Sequence, residues 1–135
     1  MIPEGLPGAG NIMIFDNGGS SGYGSPSPIA PDGLGIYARA TSRVLEIDPV
    51  SLELVWSYAG GNFFATNISG AQRLPNGNTL ITESDRGHAF EVTKDGTLVW
   101  EFVNPEHREG NRLVIYRLMR ITNPDRYPCL ERLDS

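Results

Sequence analysis

Apolar and polar residues alternate along this chain in short runs, each closed by a turn dipeptide. The most regular stretch is Ser69 to Phe102. Leu74 leads into Pro75-Asn76-Gly77-Asn78. Asn-Gly is a strong hairpin signal, because both central residues of a type I′ turn need positive φ. Thr79-Leu80-Ile81-Thr82 follows as a strand, and Ser84-Asp85-Arg86-Gly87 breaks it. His88 to Thr93 is the next strand, and Lys94-Asp95-Gly96 is a second turn of the Asp-Gly kind. Leu98-Val99-Trp100-Glu101-Phe102 closes the unit. Four short strands joined by tight turns make an up-and-down meander, the size and grammar of one β-propeller blade.

The same grammar occurs earlier. Gly10-Asn11 matches Gly77-Asn78, and Ile12–Asp16 matches Thr79–Glu83. Arg43-Val44-Leu45-Glu46-Ile47-Asp48 matches His88-Ala89-Phe90-Glu91-Val92-Thr93, and Leu54–Tyr58 matches Leu98–Phe102. Self-similarity of this kind predicts a propeller-like array. The expected fold class is all-β: β-propeller blades built as four-stranded antiparallel meanders. With roughly 40–50 residues per blade, about two to three blades are present, an incomplete propeller. The repeats read as about 6–58, with an insertion over 18–41, and about 69–102, then a C-terminal strand and tail over 112–135. All lie within one partial propeller domain, 1–135.

Between these units the pattern weakens. Asn11–Phe15 is apolar almost throughout and reads as a strand buried on both faces or as an inner blade strand. Gly18 to Thr41 is rich in Gly, Ser and Pro, and reads either as a loop covering one face or as a plain insertion. Ala59 to Ile68 is a linker anchored by Phe63-Phe64, and Asn67-Ile68-Ser69 is a glycosylation sequon. Asn104 to Asn111 reads as a loop and Arg112 to Ile121 as a strand. Pro124–Pro128 is expected to be extended and the end from Leu130 to be frayed. Trp56 and Trp100 recur at one repeat position, so both are expected to be largely buried in inter-blade packing.

Composition narrows the partners. A net charge of −5 argues against nucleic acid and against an anionic membrane surface. The arginines toward the C-terminus read as a solvated surface. Cys129 is the single cysteine, so neither an intrachain disulfide nor a thiolate cluster is expected. No secretory signal pattern and no apolar run long enough to span a membrane are present. No cofactor is expected. The abrupt entry at Met1–Gly5 reads as if an upstream strand were missing, and unstacked blades would expose apolar faces. The expected partners are therefore missing upstream blades or further copies of the chain.

Candidate chemistry centres on His88, with Arg86 beside it and Glu83 and Asp85 nearby. A histidine that accepts a phosphoryl or sulfuryl group needs a neutral ring nitrogen and cations to hold the transferring anion. His88 with Arg86 and Arg73 could supply that. The alternative is an exposed loop histidine with a carboxylate neighbour. Asn17, Arg73, Glu83 and Arg86 are the candidate substrate-binding residues, and His88 is the candidate catalytic one.

The stretches Met1–Asn11, Phe15–Gly19, Ser42–Pro49, Ala71–Glu83 and Phe90–Thr93 together resemble the arylsulfate sulfotransferase family of β-propeller proteins, within a superfamily of related quinone-type propellers. The resemblance covers nearly the whole chain and is more specific for fold than for activity. It implies a six-bladed, usually exported propeller, hence a periplasmic or extracellular location. It also implies sulfuryl transfer between phenols through a sulfohistidine, with aryl sulfates and phenols as small-molecule partners. Family members often carry that histidine a few residues before the Leu-Pro-Asn-Gly-Asn turn, where this chain has Ser69, whereas His88 lies on a later strand. A non-catalytic propeller segment, acting as a binding or assembly module, is the alternative.

Overall fold

A computed structural model describes residues 1–18, 41–61, 63–66 and 68–121. Residues 19–40 of the insertion expected over 18–41, the sequon's Asn67, Cys129, the Pro124–Pro128 segment expected to be extended, and the tail lie outside the described residues. The described chain is all-β, and its helical content is a single 3-10 turn at Ser84–Arg86. Strands β1 (Ile12–Asp16), β2 (Arg43–Ile47) and β3 (Leu54–Tyr58) form an antiparallel three-stranded sheet. Strands β4 (Ser69–Arg73), β5 (Thr79–Glu83), β6 (His88–Val92) and β7 (Leu98–Val103) form a four-stranded antiparallel meander. A short hairpin, β8 (His107–Arg108) with β9 (Asn111–Arg112), follows.

The turns carry the repeat down to single hydrogen bonds. Gly77 N–H donates to Leu74 O (3.0 Å) and Leu74 N–H to Asn78 O (2.9 Å). In the first unit Gly10 N–H donates to Ile2 O (3.0 Å) and Ile2 N–H to Asn11 O (2.8 Å). Ile2 and Leu74 thus hold one position, and both are buried. The expected type I′ turn at Asn76-Gly77 does not form, since only Gly77 has positive φ (88°). Pro75, locked at negative φ, starts an ordinary turn, and the glycine closes it as a bulge. The β6–β7 connection repeats this form, with Gly96 N–H on Thr93 O and φ of 85° at Gly96.

The core lies between the sheets. Val44, Phe63, Ile81, Phe90 and Val92 are buried there, with Met13, Phe15, Trp56, Tyr58 and Ala71 packed around them. Phe63, the anchor expected in the linker, touches Phe15, Tyr58 and Phe90 edge-on or tilted. β1 and β4 are where strands of the two sheets come closest. The reading of β1 as buried on both faces is corrected: Met13 and Phe15 pack inward, while Ile12 and Ile14 are 36% and 39% exposed. By the repeat, Ile14 corresponds to Ile81, which is fully buried against the first sheet.

Two further expectations are corrected. Arg112–Ile121 is not a strand beyond Arg112, and Asn104–Asn111 holds β8 and the start of β9. Residues 113–121 instead lie over the second sheet through scattered hydrogen bonds, most of them to its side chains. Ile115 N–H donates to Ser84 O (3.2 Å), Leu118 N–H to Thr82 Oγ1 (3.1 Å) and Arg120 N–H to Gln72 Oε1 (2.9 Å). Nor are the tryptophans largely buried. Trp56 is half-buried beneath the second sheet, whereas Trp100 is 37% exposed, because residues 113–121 cover the second sheet only in part.

Candidate functional site

Two constellations stand at opposite ends of β5. At its C-terminal end, the tight step through Gly87 (φ 57°) turns the chain straight into β6, which places His88 opposite Glu83. Glu83 is buried. It accepts from Phe64 N–H (3.0 Å), pairs with Arg86 (3.2 Å) and meets His88 Nδ1 at 3.0 Å. His88 Nε2 lies 3.5 Å from Glu101, which is largely exposed, and its ring stacks on Phe90. A cleft of about 480 Å³ opens here, lined by Tyr58, Phe63, Glu83, Arg86, His88 and Phe90 among others. Burial pushes the Tyr58 hydroxyl above its ordinary pKa, and the charge of Glu83 adds to the rise.

With Nδ1–H given to Glu83, a neutral His88 would present Nε2 as a lone-pair donor. The expected carboxylate neighbour is therefore present, but His88 heads a strand and is only 23% exposed, rather than lying in an exposed loop. Glu83, Arg86 and His88 are brought together. Asn17 follows β1 and precedes Gly18, whose N–H donates to Ala65 O and Ser42 Oγ. Glu83 and Asp85 hold Phe64 N–H and Thr66 N–H of the neighbouring 63–66 segment, and Asn17 is not among the residues that line the cleft. Arg73 is not in this cleft. It pairs with Thr79 at the other end of β5, about 13 Å along the strand from Glu83.

At that end Arg73 joins the second constellation. Its guanidinium bonds Glu46 and the carbonyl of Gly77, and lies over the Trp56 ring at 5.1 Å. Glu46 also accepts from Asn11 Nδ2 at 2.7 Å, and Trp56 Nε1–H donates to Lys94 O at 2.7 Å. Both charged side chains are 5% exposed. A cleft of about 440 Å³ runs beside them.

The set recurs one unit later. Asn78 Nδ2 donates to Glu91 at 2.7 Å, Arg120 pairs with Glu91 at 3.0 Å, and Arg120 lies over the Trp100 ring at 5.3 Å. The second copy is more open, with Arg120 44% exposed. Sequence reading did not assign Asn11, Glu46, Asn78, Glu91 or Arg120 to a site. The recurrence of Asn and Glu at matching repeat positions was the available signal.

Among the described residues no cluster of His, Cys, Asp and Glu could hold a metal ion, and no helix is long and apolar enough to cross a membrane. Comparison with known protein families, with curated proteins and with solved structures found no match.

Proposed function

We propose that the chain supplies consecutive blades of a β-propeller similar to the arylsulfate sulfotransferases, and that it acts as a stacking module rather than a free-standing catalyst. The observation that carries this is the repeated clamp of Asn, Glu, Trp and the following unit's Arg, seen at Asn11–Glu46–Trp56–Arg73 and again at Asn78–Glu91–Trp100–Arg120. A charged clamp between neighbouring units fixes register in an array, a role that buried ion pairs serve better than stability. The close approach of β1 to β4 supports a wedge, with sheets near at their inner strands and splayed outward. Residual dipolar couplings on the whole chain would measure the inter-sheet angle. Sheets splayed about an axis along β1 and β4 are expected. A face-to-face sandwich, with strand directions within about 30°, would overturn the reading.

A second reading, sulfuryl transfer at His88, is favoured by one observation: buried Glu83 meets Nδ1 and would orient Nε2 toward the cleft. Nε2 would attack the sulfur of an aryl sulfate, forming N–S as the S–O bond breaks and a phenolate departs, which takes its proton from water. An acceptor phenol would then take the sulfuryl group, losing its own proton and releasing the ring. Two carboxylates face this imidazole, and Arg86 is paired to one of them, an unfavourable field for a sulfate ester. Turnover of an aryl sulfate with a phenol acceptor, abolished in His88→Ala, would support this reading. Turnover unchanged by that substitution would remove His88 from it.

A further inference from the structure

The second sheet covers the first, and part of each half of that interface is displayed again on the outside of the chain. The covered side of the first sheet presents Met13, Phe15, Trp56 and Tyr58. By the repeat these correspond to Leu80, Thr82, Trp100 and Phe102. Of these, Leu80 and Thr82 are buried, Thr82 beneath Leu118, while Trp100 and Phe102 on β7 are 37% and 38% exposed. The covering side of the second sheet presents Ile81, whose counterpart on the first sheet is Ile14, 39% exposed beside Ile12. The covering sheet also supplies a turn carbonyl, Lys94 O, to Trp56 Nε1. The first sheet has its own turn at that position, between Asp48 and Glu53, closed by Asp48 N–H on Glu53 O.

We infer that the exposed side of the second sheet, around Trp100 and Phe102, is a docking surface for the Ile12–Ile14 side of the first sheet of a second copy of this chain. The contact would repeat the internal sheet-to-sheet step, so it is continuous with an interface already formed. Arg120 already occupies the clamp position over Trp100, so the second copy need supply only the apolar side and the Asp48–Glu53 turn. The two surfaces differ, so the association is heterologous, head to tail, and either closes into a ring or runs open. The inference rests on the reading of the sheets as repeating stacking units.

The test uses the full chain and two variants, Ile14→Arg on one side and Phe102→Arg on the other, each checked for native circular dichroism and cooperative melting. Both residues are already partly exposed, so the fold should tolerate the change. Sedimentation through the micromolar range should show the wild type associating and each variant alone as a monomer. A one-to-one mixture should form a heterodimer, because the intact Trp100 side of Ile14→Arg meets the intact Ile14 side of Phe102→Arg. A wild type that stays monomeric, variants that still associate singly, or a mixture that stays monomeric would each overturn the proposal. If either variant fails to fold, Ile12→Lys or Trp100→Lys replaces it with the same expected outcomes. The melting of Glu46→Gln separates the two ideas. If it is destabilised while the wild type is monomeric, internal stacking stands and the docking proposal falls. If Glu46→Gln melts like the wild type, the stacking reading falls as well.

Discussion

Arg73 lies over the ring of Trp56 at 5.1 Å while its guanidinium is bonded to Glu46, so one side chain ties the second sheet to two strands of the first. The ring belongs to β3 and the carboxylate to β2, and Arg73 ends β4. The pair is shielded from water, whereas its counterpart Glu91–Arg120 has a half-exposed arginine. Removing one partner of a buried pair strands the other charge, a penalty that solvent relieves at the open copy.

The first prediction follows from that asymmetry. Glu46→Gln should destabilise the chain by about 3 kcal/mol, because Arg73 is left charged and buried. Glu91→Gln should cost about 1 kcal/mol or less, because water reaches Arg120. Urea melts of the two variants under identical conditions compare them directly. Equal losses would mean that burial does not set the strength of the clamp.

Much of this architecture was legible in the chain. Turn residues and short apolar runs are local signals, and they place β1 to β3 and β5 to β7 to within a residue or two, while the first unit holds three strands rather than the expected four. The proximity of His88 to Glu83 was legible too, because the short Ser84–Gly87 turn keeps the ends of the two strands together. Asn-Gly alone suggests a type I′ turn, but Pro75, fixed at a φ of about −65°, suits the first central position of an ordinary turn, so the turn forms one residue earlier, with Pro75 and Asn76 at its centre and Gly77 closing it. Residues 113–121 were misread because their β-rich composition is satisfied by side chains of Thr82, Ser84 and Gln72 rather than by a neighbouring strand. The clamp was hidden for another reason. Glu46 and Arg73 are 27 residues apart, and a lone buried glutamate within a strand looks like a solvated face until its partner is located.

The second prediction concerns Gly87. Its φ of 57° disfavours any side chain, and a Cβ there would sit 2.4 Å from Leu113 O. Gly87 O also accepts Asn104 N–H at 2.7 Å, so the turn cannot shift freely. Gly87→Ala should therefore cost about 2 kcal/mol, more than the left-handed backbone alone. Thermal melting measures it. A loss of about 1 kcal/mol or less, no more than the left-handed backbone alone costs, would show that residues 113–121 are not held against the turn.

The third prediction is a pH dependence. The Tyr58 pKa is raised from 10.0, first by burial and then by the negative charge of Glu83. The neutral phenol is thus favoured in the folded chain. Below pH 10.0 the phenol is protonated in both states, and its contribution is fully present. As pH rises further the unfolded chain ionises first, so stability falls on the way up through the raised folded value. Tyrosinate absorbance of wild type minus Tyr58→Phe isolates this group. Adding Glu83→Gln to both chains should move its midpoint down. An unmoved midpoint would mean that Glu83's charge does not reach the hydroxyl.

The fourth prediction tests how residues 113–121 are held. Thr82 sits in β5, is 1% exposed, and its hydroxyl is shared by Leu118 N–H (3.1 Å) and Leu118 O (3.4 Å). Valine fills the same volume without a hydroxyl, so Thr82→Val removes both bonds and leaves the Leu118 amide to find water. A net loss of about 1 kcal/mol is expected, as for one hydrogen bond. Because the bond ties a surface segment to a sheet held by its own ladder, the loss should be local. Exchange of the Leu118 amide should speed up about fivefold, the rate equivalent of that energy. Arg120 N–H, held separately by Gln72, should respond less, and amides in the β5–β6 ladder should barely change. Uniform acceleration across the sheet would show that residues 113–121 are integral to the core rather than laid over it. Unchanged exchange at Leu118 would show that Thr82 does not hold it at all.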